Sequence, residues 1–285
     1  MSEMEVFSAA PGPLRRHANP LTPWRTLWRH RVLIRQLARR DLIHRYRSSL
    51  LGLVWTFLVP LLHLAVFTFV FSVVLRARWS HGPGDGTGQF AMALFCGLIL
   101  YGVFSESVVI APMMVVTRAN FVRKMVFPLE VLPVVSLAQV LVKAGASLVI
   151  LALGILLLSH RLPWTFVLVW VPFVPIVLYA VGVAWFLAAL GVFIRDVAQV
   201  VPICVQLFFF LSGIVHPISS VPERFRPLMA CNPVAVLVEA TRGFALWGQL
   251  PDWSRLAVTF LGGLIVFQLG YLFFMKSRHA FADVL

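Results

Sequence analysis

Charge is what this sequence has least of. Asp and Glu together number only 11 among 285 residues, and all charged types make up 12%, against about 25% in ordinary soluble domains. That shortage excludes a water-soluble globule, a disordered chain and a fibrous protein. Cysteine is nearly absent too. Cys96, Cys204 and Cys231 stand far apart without a C-x-x-C pair, so neither a disulfide framework nor a cysteine metal site is indicated, and they read as packing residues. No G-x-x-x-x-G-K-[ST] occurs, so no loop here cradles nucleotide phosphates. Gly82, Gly84, Gly86 and Gly88 lack the lysine and precede an apolar run; they read as a flexible loop. Nor is there an H-E-x-x-H, a G-x-S-x-G or a metal-ligand spacing among the eight histidines. A membrane glycosyltransferase would need acidic groups for a metal or a nucleotide sugar, and the few present are scattered. Enzyme chemistry has little to stand on.

Apolar sequence is abundant: 60% of the chain is hydrophobic and the mean hydropathy is +0.90. The first 49 residues hold ten arginines and no apolar run of signal-peptide length. Beyond them the runs predict six spans, each long enough for the roughly 20 residues that a bilayer core demands. These are Leu50–Leu75 (interrupted by Pro60), Phe90–Val116, Val131–Ser159, Trp164–Ile194, Val197–Val215 and Leu256–Met275. Between the fifth and sixth, Asn232-Pro233 is a helix start, with Asn at the N-cap and Pro at the first helical position. The apolar stretch to Trp247 that follows reaches only about 22 Å, too short to cross. It predicts a re-entrant or interfacial helix. With the N-terminus inside, sixteen Lys and Arg fall on inner segments and seven on outer ones, which places both termini in the cytoplasm. The net charge of +13 follows from this clustering at the ends of spans, and no nucleic-acid partner is needed to explain it.

Two ionisable residues lie inside spans, where a charge is costly unless paired or hydrated. Glu106 in span two and Lys143 in span three fall at similar depth, because the spans are antiparallel neighbours. They read as a buried ion pair, or as part of a hydrated path. Arg31–Arg47 predicts a helix in which Ile34, Ala38, Leu42 and Tyr46 recur at i+4 among arginines. Such a helix suits the cytoplasmic interface, as an anchor or as a docking element. Aromatics mark spans one and five: Trp55, Phe57, Phe67 and Phe71, and then Phe208 with its two neighbours. Either they pack or face lipid, or they line a path. Weak stacking on rings would let a sugar chain slide where ion contacts would trap it. Trp55 and Phe57 then suit the entrance, and Phe67, Phe71 and Phe208 the lining.

Four segments together resemble ABC-2-type polysaccharide export permeases. They are Arg40-Asp41-Leu42-Ile43-His44-Arg45-Tyr46-Arg47 leading through Gly52 and Trp55 to Pro60; Lys124-Met125-Val126-Phe127-Pro128-Leu129-Glu130-Val131-Leu132-Pro133; Phe193-Ile194-Arg195-Asp196-Val197; and Asn232-Pro233 with Thr241-Arg242. The likeness spans about residues 31 to 275. It departs where many relatives have S-P-[IL]-x-[YW] and this chain has His216-Pro217-Ile218-Ser219-Ser220, a difference that bears on the glycan and not on the fold.

The resemblance implies an all-α polytopic membrane protein with six transmembrane helices, an N-terminal amphipathic interface helix and a re-entrant helical region between helices 5 and 6. Residues 1–49 would be a cytoplasmic segment, 50–275 the transmembrane domain and 276–285 a short cytoplasmic tail. The implied assembly is a homodimer with two copies of a cytoplasmic ABC ATPase, in the bacterial inner membrane, exporting a lipid-linked, O-antigen-like polysaccharide. ATP and Mg would sit on the ATPase, with no cofactor on this chain. Arg118, Arg123, Lys124, Phe127 and Pro128 would belong to the segment that touches the ATPase. The rivals are an ABC-2 exporter of a drug or small lipid, and a proton-coupled carrier or flippase worked by Glu106 and Lys143.

Overall fold

The computed structural model describes residues 19–47, 52–74, 87–118, 127–215 and 221–284, and every regular element among them is helical. Two short helices come first, α1 (Thr22–Arg29) and α2 (Arg31–Arg47), followed by α3 (Trp55–Phe67), which winds on as a π-helical turn to Val74. Then come α4 (Thr87–Ile110), α5 (Leu132–Ser159), α6 (Trp170–Phe193) and α7 (Val197–Leu211). The chain closes with α8 (Pro233–Arg242) and α9 (Trp253–Ser277). Four stretches are long and apolar enough to cross a membrane: Gly88–Met113, Leu129–Ser159, Trp164–Phe193 and Trp253–Ala280. Two apolar helices are shorter, Trp55–Val70 and Val197–Leu211. The protein is therefore an all-helical integral membrane protein. Gly82, Gly84, Gly86, Arg123, Lys124 and the His216–Ser220 segment lie outside the described residues, whereas Gly88, read as loop, already belongs to α4.

Local chemistry sets the helix ends. Asn232 accepts a bond from the Val234 amide at 2.9 Å and Pro233 opens α8, as the sequence predicts. Asp252 caps α9 by accepting from the Ser254 and Arg255 amides. The Ser254 hydroxyl, the first of several donors to it, holds the Asp252 carboxyl below its usual range. The apolar helices are hydrophobic nearly all round, so burial, not amphipathicity, places them. α4 is the centre of the bundle, with its Leu94, Phe95, Cys96 and Leu100 fully enclosed.

α6 and α9 form the tightest pair. A Cβ on Gly270 would fall inside the Gly182 backbone, and one on Gly182 would come 2.6 Å from the Val266 carbonyl oxygen. Without a hydrophobic drive between helices in lipid, such close approach of backbones supplies the packing attraction. Just beyond the crossing, Trp185 packs its ring 4.9 Å from Phe267 and edge-on to Tyr271. Gly270→Val should force the helices apart and cost about 3 kcal/mol as overpacking. Thermal unfolding of the detergent-solubilised protein would measure it, and an unchanged midpoint would show that the crossing tolerates a side chain.

The N-terminal helices pack on this bundle. Trp24 of α1 stacks on Phe267 at 5.0 Å and Thr26 shares a hydrogen bond with the Tyr271 hydroxyl. In α2, Ala38 is buried against Val131 and Val135, with Ile34 and Leu37 beside it. Part of the apolar stripe read from the sequence thus faces protein. The reason is geometric: a small residue at position 38 lets α2 lie close to the start of α5.

Candidate functional site

Between α3, α4, α5 and α7 lies a cavity of about 620 Å³, and beside it one of about 240 Å³. Phe67, Tyr101 and Glu106 border both. Helical spacing explains why three helices each give a stripe: Ser105 and Val109 on α4, Ser136 and Gln139 on α5, and Pro202, Gln206 and Phe210 on α7 recur at intervals of three and four. Aromatic rings make up one part of the wall. Phe67 lies 6.1 Å from Phe209, and Phe209 meets Tyr101 edge-on at 5.4 Å and Phe210 at 5.3 Å. The Tyr101 hydroxyl donates to the Val205 carbonyl, which ties α4 to α7.

The residues singled out in the sequence are distributed unevenly around this space. Phe67 is in the wall, whereas Phe208 turns to Phe104 at 5.8 Å and packs against the core. Its neighbours Phe209 and Phe210 border the cavity instead, because consecutive helical positions differ by about 100°. Trp55 and Phe57 are exposed at the start of α3. The side chain of Phe71 lies outside the described residues. Lys143 reaches across from α5 and forms a salt bridge with Glu106 on α4. Their side chains keep 28% and 37% of their exposure, and both border the smaller cavity.

The side of the bundle that holds residues 118 and 127–130 carries a second set of contacts. Arg118, at the end of the turns that follow α4, pairs with Asp41 of α2 at 3.2 Å. Glu130, 5% exposed, pairs with Arg278 at 3.0 Å, and Arg278 also donates to the Phe127 carbonyl. The Trp185 indole donates to the Glu130 carbonyl at 2.9 Å. Both ends of the 119–126 connection are thus fixed, one by the N-terminal helix and the other by the C-terminal turn. Phe127 and Pro128, half-buried, belong to that second anchor.

At the opposite end a single guanidinium does most of the joining. Arg242 is 1% exposed and donates to the Ala93, Gly213 and Ile214 carbonyls at 2.8, 2.8 and 2.6 Å, with Glu239 at 3.4 Å. Asn232, at the other end of α8, donates to the Leu211 carbonyl at 2.9 Å. The last carbonyl of α7, orphaned by the end of the helix, and two carbonyls of the segment that follows it are therefore taken up by the two ends of α8. Sequence reasoning counted Arg242 as an outer-loop charge. It is instead a core residue, and removing it from the outer tally only widens the charge asymmetry. The signal was present, since Arg242 ends a short helix in which Glu239 is the one other charge.

Among the described residues no group of three or more His, Cys, Asp or Glu could hold a metal. What the geometry offers is a partly aromatic, partly polar cavity inside a helical bundle and a connection anchored at both ends. Residues 32–246 match the ABC-2 type transporter family. The chain belongs to that family.

Members of the ABC-2 family are membrane subunits of ABC transporters and not enzymes themselves. The chain is 29% identical over 261 residues to the O-antigen export system permease protein RfbA of Myxococcus xanthus, covering 91% of this chain and 97% of that protein. To the RfbA permease of Klebsiella pneumoniae it is 25% identical over 257 residues, 87% of this chain and 93% of the relative. A more distant relative is the polysialic acid transport protein KpsM of Escherichia coli, 19% identical over 251 residues, 88% of this chain and 95% of that one.

Proposed function

We propose that this ABC-2 permease is the channel-forming subunit of an ATP-driven exporter that carries a cell-surface polysaccharide, O-antigen-like and lipid-linked, across the bacterial inner membrane. The observation that carries this reading is its likeness, along nearly its whole length, to permeases named for O-antigen export. The cavity supports it: aromatic walls from α3 and α7 suit a chain that must slide past without being held.

In this reading α3 and α7 are the first and fifth of six spans, each shorter than a full crossing, and α8 is a re-entrant helix at the outer face. The cytoplasmic segment is 1–49, the transmembrane domain 50–275 and the tail 276–285. Two copies of the chain face each other through α3 and α7, whose exposed Leu61, Leu62, Ile203 and Leu207 offer side chains for packing between them. Two ATPase subunits, carrying ATP and Mg, dock from the cytoplasm against the 118–128 connection. Arg118, Arg123, Lys124, Phe127 and Pro128 provide that contact, and α2 lies at the inner interface and holds it in place. Trp55, Phe57, Phe67 and Phe71 border the route, with Phe209 and Phe210 in the place that the sequence offered to Phe208.

Two measurements test the reading together. Expressed with its ATPase in cells lacking their own permease, the chain should restore surface polysaccharide; the purified chain alone should hydrolyse no ATP. For orientation, Cys204 and Cys231 are replaced by serine and a single cysteine is placed at Arg161 or at Arg195. A membrane-impermeant thiol reagent added outside should label the first position only. Labelling at Arg195 instead would invert the topology.

A further inference from the structure

Gln139 on α5 and Gln206 on α7 both border the larger cavity. Neither side chain has a hydrogen-bond partner among the described residues. An amide in a span that faces only hydrocarbon loses its hydrogen bonds to water and gains nothing in return. Structural amides in membrane bundles are paired with neighbouring helices; these two are not, although they open onto one space. The rest of the wall is mixed. It pairs aromatic faces, Phe67, Phe209 and Phe210, and aliphatic side chains with hydroxyls of Ser105 and Ser136 and with the Glu106 carboxylate. Lys143, on the smaller cavity alongside, neutralises that carboxylate, so the polar part of the wall carries no net charge that would hold a sliding polymer.

A pyranose has the matching surface: an apolar face of C–H groups and a rim of hydroxyls, each both donor and acceptor. An amide offers both functions as well, two N–H donors and a carbonyl acceptor. An acyl chain would leave the amides unsatisfied, and a volume of about 620 Å³ lies within the range of ordinary small-ligand sites. We propose that the cavity between α3, α4, α5 and α7 is a binding station for sugar units of the transported glycan. In it the Gln139 and Gln206 amides hydrogen-bond hydroxyls while Phe67, Phe209 and Phe210 stack on sugar faces. The inference rests on the polysaccharide reading given above.

The test uses the full chain with its ATPase in cells whose own permease is deleted, with surface polysaccharide quantified by sugar analysis and the assembled complex by purification. The Gln139→Leu/Gln206→Leu double variant keeps side-chain volume and removes both amides. It should lower export by about tenfold, the equivalent of one net hydrogen bond, while the complex assembles as before. Gln206→Asn, which keeps an amide, should fall between. A double leucine variant that exports at the wild-type rate would overturn the station and leave the polysaccharide reading standing. So would a double variant that fails to assemble, since the amides would then be structural. If the wild-type chain restores no polysaccharide, the polysaccharide reading falls, and the station falls with it.

Discussion

Replacing Arg242 by alanine is expected to remove most of the folded protein. The guanidinium serves three carbonyls on two other parts of the chain, Ala93 on α4 and Gly213 and Ile214 beyond α7. Each carbonyl left buried without a donor costs about 1–3 kcal/mol, and the side chain's own packing is lost as well. The sum, roughly 5 kcal/mol, is comparable to the whole stability of a small domain. Arg242→Lys keeps the charge but offers a single ammonium in place of a planar fork, so it should recover only part of the loss. Fluorescence-detected gel filtration after a heating series would rank the three proteins. A stable, monodisperse alanine variant would mean that the carbonyls find other donors.

The second large effect is expected at Glu106 and Lys143. Neutralising either residue leaves its partner as a lone charge between helices, a loss of 3–5 kcal/mol in a fully buried pair. Both groups are partly open to the cavities, so the lower end, about 3 kcal/mol, applies here. Glu106→Gln combined with Lys143→Met should restore most of that, because nothing charged remains. The coupling in this double-mutant cycle, read from unfolding midpoints, should be large and favourable. Strictly additive damage would separate the two residues. A stable double variant that still exports would also exclude the proton-carrier alternative, in which these charges do the work.

The sequence made the bundle legible for a simple reason: in a membrane, span length and apolarity are dictated by the bilayer. The long helices start and stop close to where the apolar runs do, and the Asn232-Pro233 start of α8 was readable from capping chemistry alone. The depth match of Glu106 and Lys143 was readable because antiparallel neighbours convert sequence distance into height. What was not readable is rotation about each helix axis. Three consecutive phenylalanines on α7 carry no phase information, so which of Phe208, Phe209 and Phe210 borders the cavity depends on packing against α4. The same ambiguity hid Gln139 and Gln206, whose importance lies in the space they share. Pairings across great sequence distance, Asp41 with Arg118 and Glu130 with Arg278, were equally hidden. Each half looks like an ordinary surface charge until the bundle brings its partner alongside.

The crossing of α6 and α9 has a mechanical consequence. A switch needs two packings of nearly equal energy, and interlocked side chains supply them by re-seating one ridge into the next groove. Where Gly182 meets Gly270 there are no side chains to re-seat, and backbone lies directly on backbone. That joint has one seating. On the exporter reading α6 and α9 would then be the fixed part, against which α3 and α7, packed through the rings around the cavity, would turn.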